Sequence, residues 1–199
     1  KELMADPSEG DFHAAMAAAD ALSDELAFSL RCEFLEAVAF YTPSELEPTQ
    51  TEMKLLKALS EALSEAGNLQ KISAVVEVAE RRTKDIQDEG VSMIVLSMRA
   101  ALLRANGELQ ESLKVSESLL GAQLSCFGND HPEVAKTLNT IGHVYREMGA
   151  LDKSLEYLGR CLAIEQRLYG DEHPEVAGSL AAIGRVFQEK GDLDHALAY

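Results

Sequence analysis

A chain of 199 residues with 18 basic and 34 acidic side chains carries a formal net charge of −16, a field that repels nucleic acid and anionic lipid surfaces. Its composition is that of a globular protein, with 46% apolar and 26% charged residues, 5 prolines and no tryptophan. No run of 18 or more uncharged apolar residues marks a membrane span.

Residues 1–50 hold 2 basic and 11 acidic groups. Such an end reads first as a solvated face, and it also suits a basic partner. Residues 8–23 are alanine-rich around Gly10-Asp11-Phe12, and Leu26, Leu30, Phe34, Leu35, Val38 and Phe40 then recur at helical spacing. Residues 8–48 are therefore expected to form a divergent helical pair. Alternatively, Gly10 is the turn of a unit whose first helix lies upstream. The run Thr42-Pro43-Ser44-Glu45-Leu46-Glu47-Pro48 is the clearest break in the chain.

From residue 49 the pattern becomes regular. Leu55, Leu56, Leu59 and Leu63 mark a helix ending at Gly67, and Leu69 to Thr83 supplies its partner, giving a unit over 49–87. A second unit, 88–128, runs as a helix from about Asp88 to Asn106, turns at Gly107 and returns from Leu109 to Leu124. Then comes a duplication: residues 129–157 and 171–199 align at an offset of 42 with 15 of 29 positions identical. The turn glycines Gly67, Gly107, Gly149 and Gly191 are spaced 40, 42 and 42. A period of this length signals stacked helical repeats, here units over 129–170 and 171–199. Lys1 opens the chain and Tyr199 stops inside a predicted helix, so the natural chain is expected to continue in both directions, and a targeting signal is not to be sought in this stretch.

Within each copy the signals are local. Pro132 and Pro174 suit the first helical position, and the residue before each, His131 or His173, is pushed out of the α region to the helix entry. Glu133 and Glu175 face the positive end of the helix dipole. Val134, Leu138, Ile141 and Tyr145 form one buried face at spacings of three and four. Gly142 and Gly184 fall mid-helix, where glycine costs about 1 kcal/mol relative to alanine, so close approach of a neighbouring helix is expected there. Gly149 and Gly191 suit the left-handed position that ends a helix. Leu151, Leu155, Leu158, Leu162 and Ile164 mark the second helix.

The pattern Leu-x-x-Ile-Gly-x-x-Tyr, followed by Gly-x-Leu-Asp-x-(Ala/Ser)-Leu, resembles the tetratricopeptide repeat. Leu138, Ile141, Gly142, Tyr145, Ser154 and Leu158 stand at its marker positions, and Leu180, Ile183, Gly184, Phe187 and Ala196 in the next copy. The 42-residue period and the His-Pro-Glu-Val-Ala opening resemble the long repeats of kinesin light chains over roughly 129–199. The resemblance implies an all-α fold, a right-handed α-solenoid of tandem antiparallel helix pairs, spanning 1–199 as one array. It implies a protein-interaction module, scaffold or adaptor, that uses no cofactor.

In that family the first helix of each unit lines a concave groove. Counted from the marker glycine, the groove positions are Lys54, Lys57 and Glu61, then Ser97, Ala101 and Arg104, then Lys136, Asn139, His143 and Arg146, then Arg185 and Gln188. Lys54, Lys57, Arg104, Lys136, Arg146 and Arg185 would make a basic channel in an acidic body and focus it on an acidic or amphipathic peptide or helix. Asn139 suits a peptide backbone, and Arg146 a carboxylate gripped by two parallel hydrogen bonds. The bland reading of these cations is ordinary contact between repeats. The family's carboxylate clamp pairs lysine with asparagine one turn later, whereas Glu61 follows Lys57 here, so that clamp is not carried over.

Chemistry is otherwise sparse. His131 and His173 lie one repeat apart with no His or Cys at ligand spacing, and His13, His143 and His195 are scattered. No phosphate loop, His-Glu-x-x-His pair or Gly-x-Ser-x-Gly elbow occurs, so no catalytic, metal or cofactor residue is assigned. Cys32, Cys126 and Cys161 form no Cys-x-x-Cys pair and are odd in number. They read as small buried hydrophobes in the cytoplasm or another reducing compartment. Two further readings stand beside the adaptor: a regulatory or sensor arm packed on the catalytic domain of a larger enzyme, and self-association through the terminal helices.

Overall fold

A computed structural model describes residues 69–199 together with Leu56, Lys57 and Ser60. The divergent pair expected over 8–48, the break at 42–48, Gly67, Cys32 and the groove positions Lys54 and Glu61 lie outside the described residues. Those that are described form seven α-helices and no strand: α1 (Leu69–Thr83), α2 (Glu89–Ala105), α3 (Leu109–Phe127), α4 (Pro132–Glu147), α5 (Leu151–Tyr169), α6 (Pro174–Lys190) and α7 (Leu193–Ala198). The chain divides into two compact units, 1–98 and 99–199.

In the first unit α1 buries Ile72, Val75, Val76 and Ala79, an apolar stripe at helical spacing. Asp88 starts α2, its Oδ1 accepting from the Val91 amide at 2.8 Å, which satisfies one of the amides that the first turn leaves without a partner.

In the second unit consecutive helices pack on one another from α3 to α7. The corners between them follow from backbone chemistry. Gly107, Gly149 and Gly191 have φ of 80°, 75° and 78°, the left-handed region that costs a side chain-bearing residue about 1–2 kcal/mol. At each entry to a long first helix stands a histidine in extended conformation, and its side chain is the cap. His131 Nδ1 and His173 Nδ1 accept from the amides of Glu133 and Glu175, each at 3.2 Å. Each ring also stacks on the aromatic residue that ends the preceding helix, Phe127 on His131 at 4.2 Å and Tyr169 on His173 at 4.5 Å. These histidines hold corners, as their place before proline predicts.

The core is shared between neighbours. Leu120 of α3, Leu138 and Ile141 of α4, and Cys161 and Ile164 of α5 form one cluster. Leu158 of α5 joins Ala182, Ile183 and Val186 of α6 in the next. Helix α5 thus contributes to both, and no helix pair buries its apolar face alone, the energetic hallmark of a repeat stack. Gly142 shows why glycine sits mid-helix: a Cβ there would lie 2.7 Å from Leu158 Cγ. Gly184 differs, because the nearest atom to its added Cβ would be Ala196 O at 3.5 Å, an ordinary contact. Close approach accounts for Gly142, and the position equivalent to Leu158 that would meet Gly184 falls one residue after Tyr199.

Candidate functional site

The groove-lining residues of the second unit come from three first helices. Asn139, His143 and Arg146 lie on one face of α4 at spacings of four and three. Around His143 gather Arg104 from α2, Arg146 from its own helix and Arg185 from α6. Burial lowers the His143 pKa from the ordinary 6.5, and these three guanidinium groups lower it further against a smaller opposing effect of Glu147. His143 is therefore a neutral imidazole at pH 7, and these four side chains share one surface.

The cations are not all free. Arg104 Nη1 donates to Glu147 Oε1 at 3.0 Å, and Arg146 Nη1 donates to Glu189 Oε1 at 2.9 Å. Arg104 and Arg146 are 42 residues apart, as are Glu147 and Glu189, so one ion pair is repeated from α2 to α4 and from α4 to α6. This ladder ties each first helix to the next. It also removes much of the positive charge that a count of lysines and arginines assigns to the groove. Lys136 is exposed and paired with Glu133 one turn away at 3.4 Å. Gln188 is exposed near the end of α6. Ser97 belongs to the first unit and donates its hydroxyl to Ile94 O of its own helix at 2.7 Å; Lys57 belongs to that unit too.

Three groups on this face keep unused capacity. Arg185 is exposed and makes no ion pair with any described residue. The Asn139 Oδ1 and the Arg146 Nε are inaccessible to solvent and without a hydrogen-bond partner, although a polar atom buried in that way costs roughly 1–3 kcal/mol. Of the three, Arg185 alone presents its donors to solvent, and a guanidinium there fits a carboxylate. Sequence reasoning missed Glu147 and Glu189. The signal that finds them is the shared separation of 43 residues from Arg104 and Arg146.

A second concavity of about 360 Å³ lies between α3, the entry of α4 and the outer side of α5, with Arg160 and Arg167 among its lining residues. Elsewhere the polar chemistry is inward. The Cys161 thiol is buried, donates to Glu165 Oε1 at 3.3 Å and stands 3.5 Å from Ser179 Oγ. Burial pushes it up to about 12, so it is no nucleophile. Among the described residues no group of three or more His, Cys, Asp and Glu side chains is placed to hold a metal ion, and no helix is long and apolar enough to cross a membrane.

A family model described as the tetratricopeptide repeat matches residues 92–164 and 133–199. No curated protein matches the chain. Among solved structures, a Podosopora anserina putative kinesin light chain with nearly identical TPR-like repeats superposes with a TM-score of 0.66 at 19% identity, over 94% of this chain and 88% of that one. BtubC (BKLC) from P. vanneervenii gives 0.63 at 17% identity, over 92% and 69%. A Signal Transduction ATPase with Numerous Domains from Pyrococcus horikoshii, which has a tetratricopeptide repeat sensor, gives 0.69 at 17% identity, with 94% of this chain covering 28% of that one. At such identities the likeness is one of fold, the all-α solenoid of tandem antiparallel helix pairs.

Proposed function

The chain belongs to the tetratricopeptide-repeat family, and from that premise we propose that it is a protein-interaction module whose first helices bind an extended acidic segment of a partner protein. Repeats of this family are generally non-catalytic scaffolds, and solved proteins of the kinesin-light-chain-like kind are among those this fold matches. The observation that carries the reading is the exposed Arg185, which makes no ion pair with any described residue and shares a surface with His143 and Arg146.

The partner's carboxylate takes the exposed Arg185, and the segment runs on over the face of α4 that carries Asn139, His143 and Arg146. The ladder of Arg104–Glu147 and Arg146–Glu189 keeps the three helices in register, so the residues that touch the ligand arrive preorganised. In an acidic body this local positive site speeds and orients encounter with an acidic segment more than it adds affinity.

The test is a titration of an Asp/Glu-rich peptide against the wild-type chain, Arg185→Glu and Asn139→Ala. Weaker binding by about tenfold or more in Arg185→Glu, with a salt-sensitive wild-type affinity, supports the reading. Equal affinity in all three removes it. A second reading makes the array a sensor arm that packs on a catalytic domain, favoured by the fold shared with the Pyrococcus horikoshii ATPase's repeat sensor. A catalytic motif in sequence flanking residues 1–199 separates the two. A third reading is self-association. Light scattering over a concentration series decides it.

A further inference from the structure

Repetition separates what the fold requires from what it does not. A residue that recurs at the 42-residue offset serves stacking, as the histidine caps and the arginine–glutamate ladder do. The outer side of α5 breaks that rule. Arg160 and Arg167 correspond to Ser118 and Ser125 in the preceding unit, so neither cation is part of the repeat's own packing scheme. Both line the 360 Å³ cleft between α3, the start of α4 and α5. Its floor is aliphatic, from Leu124, Val134, Leu138 and Ile164, and no acid lines it in a chain of net charge −16.

The two guanidinium groups are held ready by neighbours that leave donors over. Arg160 is exposed and lies over the Tyr157 ring, 5.3 Å from its centroid, which orients the planar fork and consumes none of its N–H groups. Arg167 donates through Nε to Asp130 Oδ1 at 3.0 Å and through Nη2 to the same oxygen. That pair fixes the Asn129–Asp130 loop at the mouth of the cleft. The cleft is distinct from the groove. At 100° per residue, Val134 and Leu138 lie roughly 80–180° round α4 from Asn139, His143 and Arg146.

We infer that the α3–α5 cleft is a second docking site, taking a partner segment in which an acidic residue adjoins an aliphatic one. The carboxylate meets Arg160 and the aliphatic side chain lies on the floor between Leu124 and Ala163. Charge complementarity selects the occupant: Arg160 makes no ion pair with any described residue, while Arg167 is held by Asp130. Beside an apolar floor, Arg160 favours an anion with an apolar neighbour over a basic or purely polar segment. A module with a groove ligand on its first helices and another segment on its outer side holds two partners at once, which is what a scaffold must do.

The experiment uses the whole 199-residue chain, ¹⁵N-labelled, with the peptide acetyl-Leu-Glu-Glu-Leu-amide as probe and acetyl-Leu-Gln-Gln-Leu-amide as control. The inference expects saturable shifts at the amides of Leu124, Ala163 and Ile164 and at Arg160 Nε–H, separate from any shifts the acidic probe causes at Asn139 and Arg185 in the groove. Arg160→Glu, an exposed position, should weaken binding by about tenfold or more, and Arg160→Lys by a smaller factor because the fork is lost while the charge stays. In Arg185→Glu the shifts at Leu124, Ala163 and Ile164 should persist while any at the groove residues are lost, which separates this site from the groove. Shifts at those cleft amides that do not saturate, that occur equally with the control peptide, or that survive Arg160→Glu overturn it.

Discussion

The units over 129–170 and 171–199 share most of their marker residues, but only the first includes the returning-helix leucine that meets its mid-helix glycine. In the first, Gly142 is pressed against Leu158 of the returning helix. In the second, the corresponding Gly184 faces α7 across ordinary contact distance. The position equivalent to Leu158 falls one residue after Tyr199, so the packing need is shown at Gly142 and is not tested at Gly184. The lesson is that repeat markers specify helix ends and corners, which are local, whereas the fit between helices is set by whichever side chain the neighbour presents.

That contrast can be broken by one pair of substitutions, and this is where the largest effect is expected. Gly142→Ala should destabilise the chain by about 1–3 kcal/mol, because its methyl group would overlap a fully buried leucine. Gly184→Ala should do the opposite and gain up to about 1 kcal/mol from helix propensity. Urea denaturation followed by far-UV circular dichroism reads both. Equal losses at the two positions would mean that the second unit is as tightly closed as the first.

A smaller effect sharpens the comparison with the preceding unit. Ser112 and Ser154 occupy the same register 42 residues apart, and both are fully buried. Ser112 Oγ donates to Ala100 O of the facing helix at 2.8 Å, whereas Ser154 Oγ has no partner. Ser112→Ala should cost about 1 kcal/mol. Ser154→Ala removes a buried hydroxyl that nothing satisfies, so it should be neutral or stabilising. The third unit already carries alanine there, at Ala196.

The ladder between first helices comes next. Arg104→Gln and Arg146→Gln each break one of two equivalent ion pairs, and at their partial exposure each should cost about 0–1 kcal/mol, falling with salt. Arg146, with 23% of its side chain exposed against 39% for Arg104, should sit at the upper end. Melting temperatures at low and high salt check the order.

Much of this was legible in the chain because it is local chemistry. Proline after histidine, glycine at the corners and apolar residues at three-and-four spacing predict helix starts, stops and buried faces, and all three find their place in α4 to α6. The gathering of Arg104, His143, Arg146 and Arg185 was also legible, since a constant offset puts equivalent positions side by side. What a count of cations hid was their pairing. Glu147 and Glu189 lie 43 residues from their arginines and in sequence look like solvated helix-end acids. The α5 cleft was hidden for a related reason: Arg160 and Arg167 follow no repeat marker, and only the return of α3 and α4 beside them makes a floor.

The smallest effect expected concerns pH and the one groove residue that differs most between units. His143 corresponds to Ala101 before it and Arg185 after it, so only the middle unit carries a titrating group at this register. Burial, then Arg104, Arg146 and Arg185, hold its pKa below 6.5 in the folded chain, with Glu147 opposing. Between that lowered value and 6.5 the unfolded chain binds more protons than the folded one, so stability rises with pH there. The contribution is complete above 6.5 and is lost as pH falls through that window. His143→Gln should therefore flatten the acid side of the stability profile while leaving stability above about pH 7 nearly unchanged, and a histidine ring titration by NMR should place His143 below 6.5. The same arrangement links to the groove: a bound carboxylate beside Arg146 and Arg185 offsets two of the three charges that keep the imidazole neutral. Adding the acidic peptide should thus raise the His143 titration midpoint, and a midpoint that does not move would place the ligand away from the groove face of α4 that carries Asn139, His143 and Arg146.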